Sequence, residues 1–163
     1  MCFNEGMRGI LLLVVCICVV VIAASLGSLM TIPAIDGWYS GLAKPWFSPP
    51  NWLFGPVWTV LYLMMAVAWY LTLARGWNKK TVRTANWRFL AQLLVNVSWS
   101  GVFFGLKELL AAFMVLLLLW WLIWVTIKAM LRVDRRAAWL MLPYLVWVSF
   151  AGVLNFSVMW LNW

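Results

Sequence analysis

Apolar positions in this chain fall in long unbroken runs, far longer than the short periodic clusters of a soluble amphipathic fold. A run of about 20 mostly apolar residues crosses the hydrocarbon core of a bilayer as a helix. Five such runs can be counted, over residues 9–32, 52–74, 87–106, 109–131 and 137–161. The break Lys107-Glu108 leaves room only for a tight turn, so the third and fourth helices must be antiparallel neighbours. The fourth run, with leucine at every position from 116 to 119 followed by Trp120, Trp121 and Trp124, has almost no polar face and is expected to meet lipid broadly. The pattern predicts an all-α integral membrane protein, a single domain over residues 1–163 built as a bundle of five transmembrane helices.

Between the first two runs lies Trp38-Tyr39-x-x-Leu42-x-Lys44-Pro45-x-x-x-Pro49-Pro50. Proline fixes φ and has no N–H to donate, so a segment this rich in it reads as a shaped, extended connection, and we expect ligand to be admitted there. Within the spans, polar side chains are costly unless they find partners, so their positions mark inward faces. The second helix shows Trp58, Tyr62, Met65 and Trp69 on one stripe, the third Asn96, Trp99, Ser100 and Phe103, and the fifth Tyr144, Trp147, Ala151 and Asn155. These stripes predict an aromatic cavity with a few amide and hydroxyl groups. Asn96 and Asn155 read equally well as links between helices. Trp77, Trp87, Trp139, Trp160 and Trp163 fall where interfacial belts form.

Composition agrees, with 67% hydrophobic and 10% charged residues and 15 tryptophans. The net charge of +8 is distributed unevenly. Ten of the twelve basic residues fall on one side of a five-span topology, leaving Lys44 and Lys107 on the other. Lys and Arg stay on the side from which insertion occurs. The charge therefore predicts a cytoplasmic N-terminus with the Pro-rich loop and C-terminus opposite, and argues against a nucleic-acid surface. The first run, with Arg8 ahead of it and Ala23-Ala24-Ser25 within it, also admits a cleaved signal peptide. Its continuation through Leu29, Met30 and Ile32 favours a retained span. Cys2, Cys16 and Cys18 offer no disulfide framework.

Catalytic constellations are absent. The chain has no His, and Glu5, Asp36, Glu108 and Asp134 all sit at or beyond span ends. This argues against hydrolase chemistry, zinc sites, His-ligated haem and ion-coupled pumping, and no metal or required cofactor is expected. Gly101-x-x-x-Gly105 is a small-xxx-small pattern that suits either a dimer contact or packing within the protomer.

The motifs, taken in order, resemble the TspO/translocator-protein family, the tryptophan-rich sensory proteins related to the peripheral benzodiazepine receptor. They are Trp38-Tyr39 with Lys44-Pro45 and Pro49-Pro50; Pro56-Val57-Trp58 with Leu61-Tyr62; Asn96-x-x-Trp99-Ser100-x-x-Phe103-Phe104-Gly105; and Pro143-Tyr144-x-x-Trp147 followed by Leu154-Asn155-Phe156. The resemblance covers about residue 33 to the end. It implies a five-helix bundle, usually a homodimer, binding protoporphyrin IX or haem and in some members cholesterol or synthetic isoquinoline and benzodiazepine ligands. The positions that match the family pocket are Tyr39, Pro49, Trp58, Asn96, Trp99, Ser100, Trp147 and Ala151, with Lys44 the candidate partner for porphyrin propionates. The family's cholesterol pattern is broken here, because Trp160 follows Leu154 and Phe156 where a basic residue belongs, so cholesterol is a doubtful ligand. The resemblance therefore implies a tetrapyrrole-binding sensor or transporter. A porphyrin-degrading enzyme driven by light and oxygen, and a lipid or sterol carrier, stay open beside it.

Overall fold

The computed structural model describes Cys2–Trp163, with side chains described from Gly6 onward. The helices are α1 (Cys2–Ala34), α2 (Asn51–Leu73), α3 (Lys80–Ser100), α4 (Leu109–Leu131), α5 (Arg135–Leu140) and α6 (Leu142–Leu161). Two π-helical turns, Ile35–Tyr39 and Gly101–Gly105, prolong α1 and α3. Among the described residues four stretches are long and apolar enough to cross a membrane: Gly6–Tyr39, Asn51–Leu73, Leu109–Leu131 and Arg135–Leu161. The predicted third span is present as a helix but falls outside that set. It begins earlier than expected, at Lys80, and carries Asn86, Gln92, Asn96 and Ser100. Helices α1, α2 and α4 all pack against α3 and bury Asn86, Gln92 and Asn96; Asn86 and Asn96 find hydrogen-bond partners there, whereas neither polar atom of the Gln92 amide has one among the described residues.

Local chemistry sets the breaks. Pro143 cannot donate to the carbonyl one turn back, and the helix is interrupted at Met141, dividing α5 from α6. Asp134 caps α5 by accepting from the Arg136 backbone N–H at 2.9 Å. The α3–α4 connection is as tight as expected, and Lys107 closes it in the left-handed region at φ 62°. One expectation needs correction: Trp38 and Tyr39 lie in a π-helical turn, where Ser40 N–H bonds to Ile35 O at 3.1 Å, so the extended connection begins only after them. The predicted first span ends at residue 32, but a helix needs no apolar side chains once it leaves the hydrocarbon.

Around the bundle α1 contacts α2 and α3, α4 lies between α3 and α6, and α5 leans on α2 and α4. We call the end holding Arg75 and Asp134 the basic half and the end under the Pro-rich loop the loop half. In the basic half Trp69 stacks on Phe89 with centroids 4.9 Å apart and planes 19° apart, and its indole donates to Asn86 Oδ1 at 2.9 Å. Met65, Met130 and Met141 are fully buried here. Arg75 clamps Asp134 through Nε, at 2.9 Å from Oδ2, and through its terminal nitrogen. That hydrogen-bonded guanidinium holds the Asp134 carboxyl below the usual carboxylate range. Helix α4 is less lipid-facing than expected. Leu117, Leu118, Trp120, Trp121 and Trp124 are exposed, but Leu116, Leu119 and Ile123 on the other side are core.

Candidate ligand cavity

The loop half is not filled. A cavity of about 690 Å³ lies among α1, α2, α3 with its π turn, and α6, within the roughly 300–1,000 Å³ typical of small-molecule sites. Tyr39, Trp58, Asn96, Trp99, Ser100, Trp147 and Ala151 all line it. Pro49 and Lys44 do not. Lys44 Nζ instead sits 4.7 Å from the centre of the Tyr39 ring and donates to the Ser40 carbonyl at 3.2 Å. Pro49 is half-buried in the loop above.

The second-helix stripe divides at Tyr62. Trp58 and Tyr62 face the cavity, while Met65 and Trp69 are packed into the basic half, 0% and 5% exposed. The cavity ends near Ala66 because the Asn86 amide draws the Trp69 indole into the core. Tyr144 lies behind the wall, fully buried, with Trp58 edge-on to it at 6.1 Å.

The two asparagines serve both of the roles considered for them. Asn96 Oδ1 accepts from the Tyr62 hydroxyl at 2.6 Å and its Nδ2 donates to the Tyr144 hydroxyl at 3.0 Å, joining α2, α3 and α6 at the cavity floor. Asn155 Oδ1 accepts a long bond, 3.4 Å, from the Trp99 indole, and its Nδ2 donates to the Leu109 carbonyl at 3.0 Å. Both amides are thereby locked in orientation, and both line the cavity. A stacked Trp99–Phe103 pair at 5.3 Å and Phe104, 4.8 Å from Phe103, form the aromatic wall beneath Tyr39. Phe54 bridges to Trp147 at 6.0 Å. Such a chamber can hold a flat apolar ring by stacking and meet a few polar substituents with fixed amides and hydroxyls.

Sequence reasoning missed the contribution of α1. Ser25, Gly27, Ser28 and Thr31 all line the cavity, and the signal was their interruption of an otherwise aliphatic run. Gly27 suits the close approach of α1 to α3, since a Cβ there would stand 3.3 Å from Ser100 Oγ, a tight contact that the Ser100 side chain would have to relieve. Gly101 plays the same part, its Cβ position lying 3.2 Å from Met30 Sδ, while Gly105 has open space around it.

Comparison with known proteins gives these residues a family. The TspO/MBR family model matches residues 14–161. The chain is 42% identical over 155 residues to the tryptophan-rich protein TspO of Chlorobaculum tepidum, covering 95% of this chain and 98% of that one. It is 37% identical over 128 residues to the tryptophan-rich sensory protein of Cereibacter sphaeroides, covering 78% of each. With the human translocator protein it shares 36% over 143 residues, covering 84% of each. A match across nearly the whole length, joined to several helices apolar enough to span a bilayer, makes this chain a multi-pass membrane protein that belongs to the TspO/MBR family.

Proposed function

We propose that this protein is a membrane tetrapyrrole-binding sensor or transporter, with protoporphyrin IX or haem as its ligand in the loop-half cavity. The supporting observation is the cavity itself, large enough for a small-molecule ligand, walled by Trp58, Trp99 and Trp147, and carrying the two oriented amides of Asn96 and Asn155. The names of its relatives, sensory protein and translocator protein, favour the same pair of roles. No His, Cys or Met is among the described residues of the wall, and of its phenols Tyr39 and Tyr62 the latter is already given to Asn96, so binding rests mainly on the macrocycle and its propionates. Lys44 would have to leave the Tyr39 ring to reach a propionate, and Pro49 would act only by shaping the loop.

In this reading α3 crosses the membrane as a fifth span, its amide-bearing face covered by α1, α2 and α4 while Trp87 and Leu94 stay exposed on the outer face. The basic half faces the cytoplasm, with the N-terminus there and the loop and C-terminus opposite. The protein is a homodimer, and open Gly105 offers a contact where Gly101, occupied by Met30, does not. A Gly105→Leu protein that stays dimeric in detergent would move that contact elsewhere.

The test is titration of purified protein with protoporphyrin IX, haem and cholesterol while tryptophan fluorescence is followed. Saturable quenching by either tetrapyrrole at one per chain is expected, with cholesterol failing to compete. Absence of saturation would remove the reading, competition by cholesterol would favour a sterol carrier, and light-dependent loss of porphyrin absorbance would favour an enzyme.

A further inference from the structure

The cavity wall does not stop at the interior. On α1 it includes Ser25, Ser28 and Leu29, and on α2 Gly55, Thr59 and Leu63, all of which are also exposed at the perimeter of the bundle. A continuous surface thus runs from the aromatic chamber outward between these helices to the flank that acyl chains cover.

The lean of α1 opens this cleft. In the basic half α1 meets α2, with a Cβ at Gly9 standing 3.4 Å from the Tyr70 hydroxyl. Towards the loop it turns against α3 instead, at Gly27 beside Ser100 and at Met30 beside Gly101. Small residues widen the gap that remains. Counted outward from the Gly9–Tyr70 contact, Ser25 lies sixteen residues along α1 and Gly55 fifteen along α2, so antiparallel helices rising about 1.5 Å per residue bring the two level. A Cβ at Gly55 would meet nothing within 4 Å.

The loop, by contrast, is fastened down. Asn162 at the end of α6 grips Ala43 twice, accepting from its N–H at 3.0 Å and donating to its carbonyl at 2.9 Å. Lys44 is tied to Ser40 and Tyr39, and Phe47 packs edge-on to Phe150 at 6.4 Å. The expected route through the loop would have to break these contacts, whereas the flank is already open.

We infer that the cavity takes its ligand sideways from the bilayer, through the cleft between α1 and α2. Its substrate class is then flat amphiphiles dissolved in the acyl-chain layer. This inference rests on the tetrapyrrole reading for the identity of the ligand, but not for the existence of the portal. Ser25 and Ser28 place hydroxyls along the passage, where carboxylate substituents of an incoming ring can accept from them as they leave the lipid–water interface, whereas the Thr59 hydroxyl is already given to the Gly55 carbonyl at 2.9 Å.

The test uses Ser25→Cys with Gly55→Cys in a protein whose native thiols are replaced by alanine, bridged by a reversible bis-thiosulfonate. Protoporphyrin transfer from donor vesicles should slow at least roughly tenfold when the bridge is set before loading, release should slow likewise when it is set after, and reduction should restore both. Unchanged rates, or thiols that will not bridge, would overturn the portal. If the unbridged protein binds no protoporphyrin, the tetrapyrrole reading falls by itself. A phospholipid with a photoreactive group on its acyl chain then decides the portal: insertion at Trp58 and Tyr62 supports it, and insertion confined to outward residues such as Val60 and Val67 contradicts it.

Discussion

The two halves of this bundle use the same residue types to opposite ends. In the basic half tryptophan is a filler: Trp69 is stacked on Phe89, bonded to Asn86 and 5% exposed. In the loop half Trp58, Trp99 and Trp147 are half-buried around space. The difference lies in how the helices approach one another. Small buried residues Ala66, Ala68, Ala85, Ala137 and Ala138 let the basic half close up. The loop half is held apart by Phe54, Phe103 and Phe104 and by two π turns, which widen the helix where they occur. An indole therefore builds either a core or a binding wall according to the size of what faces it. The closed half holds the helices so that the open half can stay open.

Breaking the closed half should have the largest effect. Phe89→Ala removes a fully buried ring from the Trp69 stack and should lower stability by about 3–5 kcal/mol, read from thermal unfolding in detergent. A loss below about 1 kcal/mol would show that the basic half is no better packed than the cavity wall.

Breaking the open half should leave the fold intact and cost affinity. Ala151→Thr adds volume and a hydroxyl to a cavity wall, and overpacking of about 1–3 kcal/mol corresponds to protoporphyrin affinity falling roughly 5- to 150-fold. The helical circular dichroism should not change. Unaltered affinity would move the ligand away from α6.

The smallest effect expected is at the ion pair that closes the basic end. The Asp134 carboxyl is depressed in the folded state relative to an unfolded value near 3.9, so its contribution is fully present above about pH 4 and is lost as pH falls through the lower folded value. Asp134→Asn keeps the helix cap but loses the charge pair with Arg75, and should cost about 1 kcal/mol at neutral pH while abolishing this part of the acid sensitivity. Equal acid unfolding of both proteins would assign the pH dependence to other carboxylates.

Helix α1 runs well beyond its predicted 9–32 and the predicted fifth span is divided at Met141, whereas α4 at Leu109–Leu131 was legible to the residue and α2 to within one residue, because lipid imposes one requirement along the whole element. The start of α3 was not, since Lys80 to Asn86 is helical without being apolar. The π turns were invisible for a different reason. An i→i+5 bond such as Leu106 N–H to Gly101 O, at 2.9 Å, is selected by packing around it and has no residue signature of its own. In the site, the polar residues on α2, α3 and α6 stood out against aliphatic surroundings. Lys44 was placed near the ligand on its charge and its position in the Pro-rich loop, and the nearby Tyr39 ring offered its cation a closer partner. Met65 and Trp69 share the Trp58 stripe by periodicity, but periodicity does not say how far along a helix the cavity extends.

Hydrogen–deuterium exchange in lipid nanodiscs, with and without protoporphyrin IX, tests most directly whether one half is an anchor and the other a ligand chamber. Added protection is expected in the π turns Ile35–Tyr39 and Gly101–Gly105 and in the first turns of α2, with no change in α5 or around Trp69 and Phe89. Protection that is uniform along the bundle, or confined to the basic half, would contradict the account.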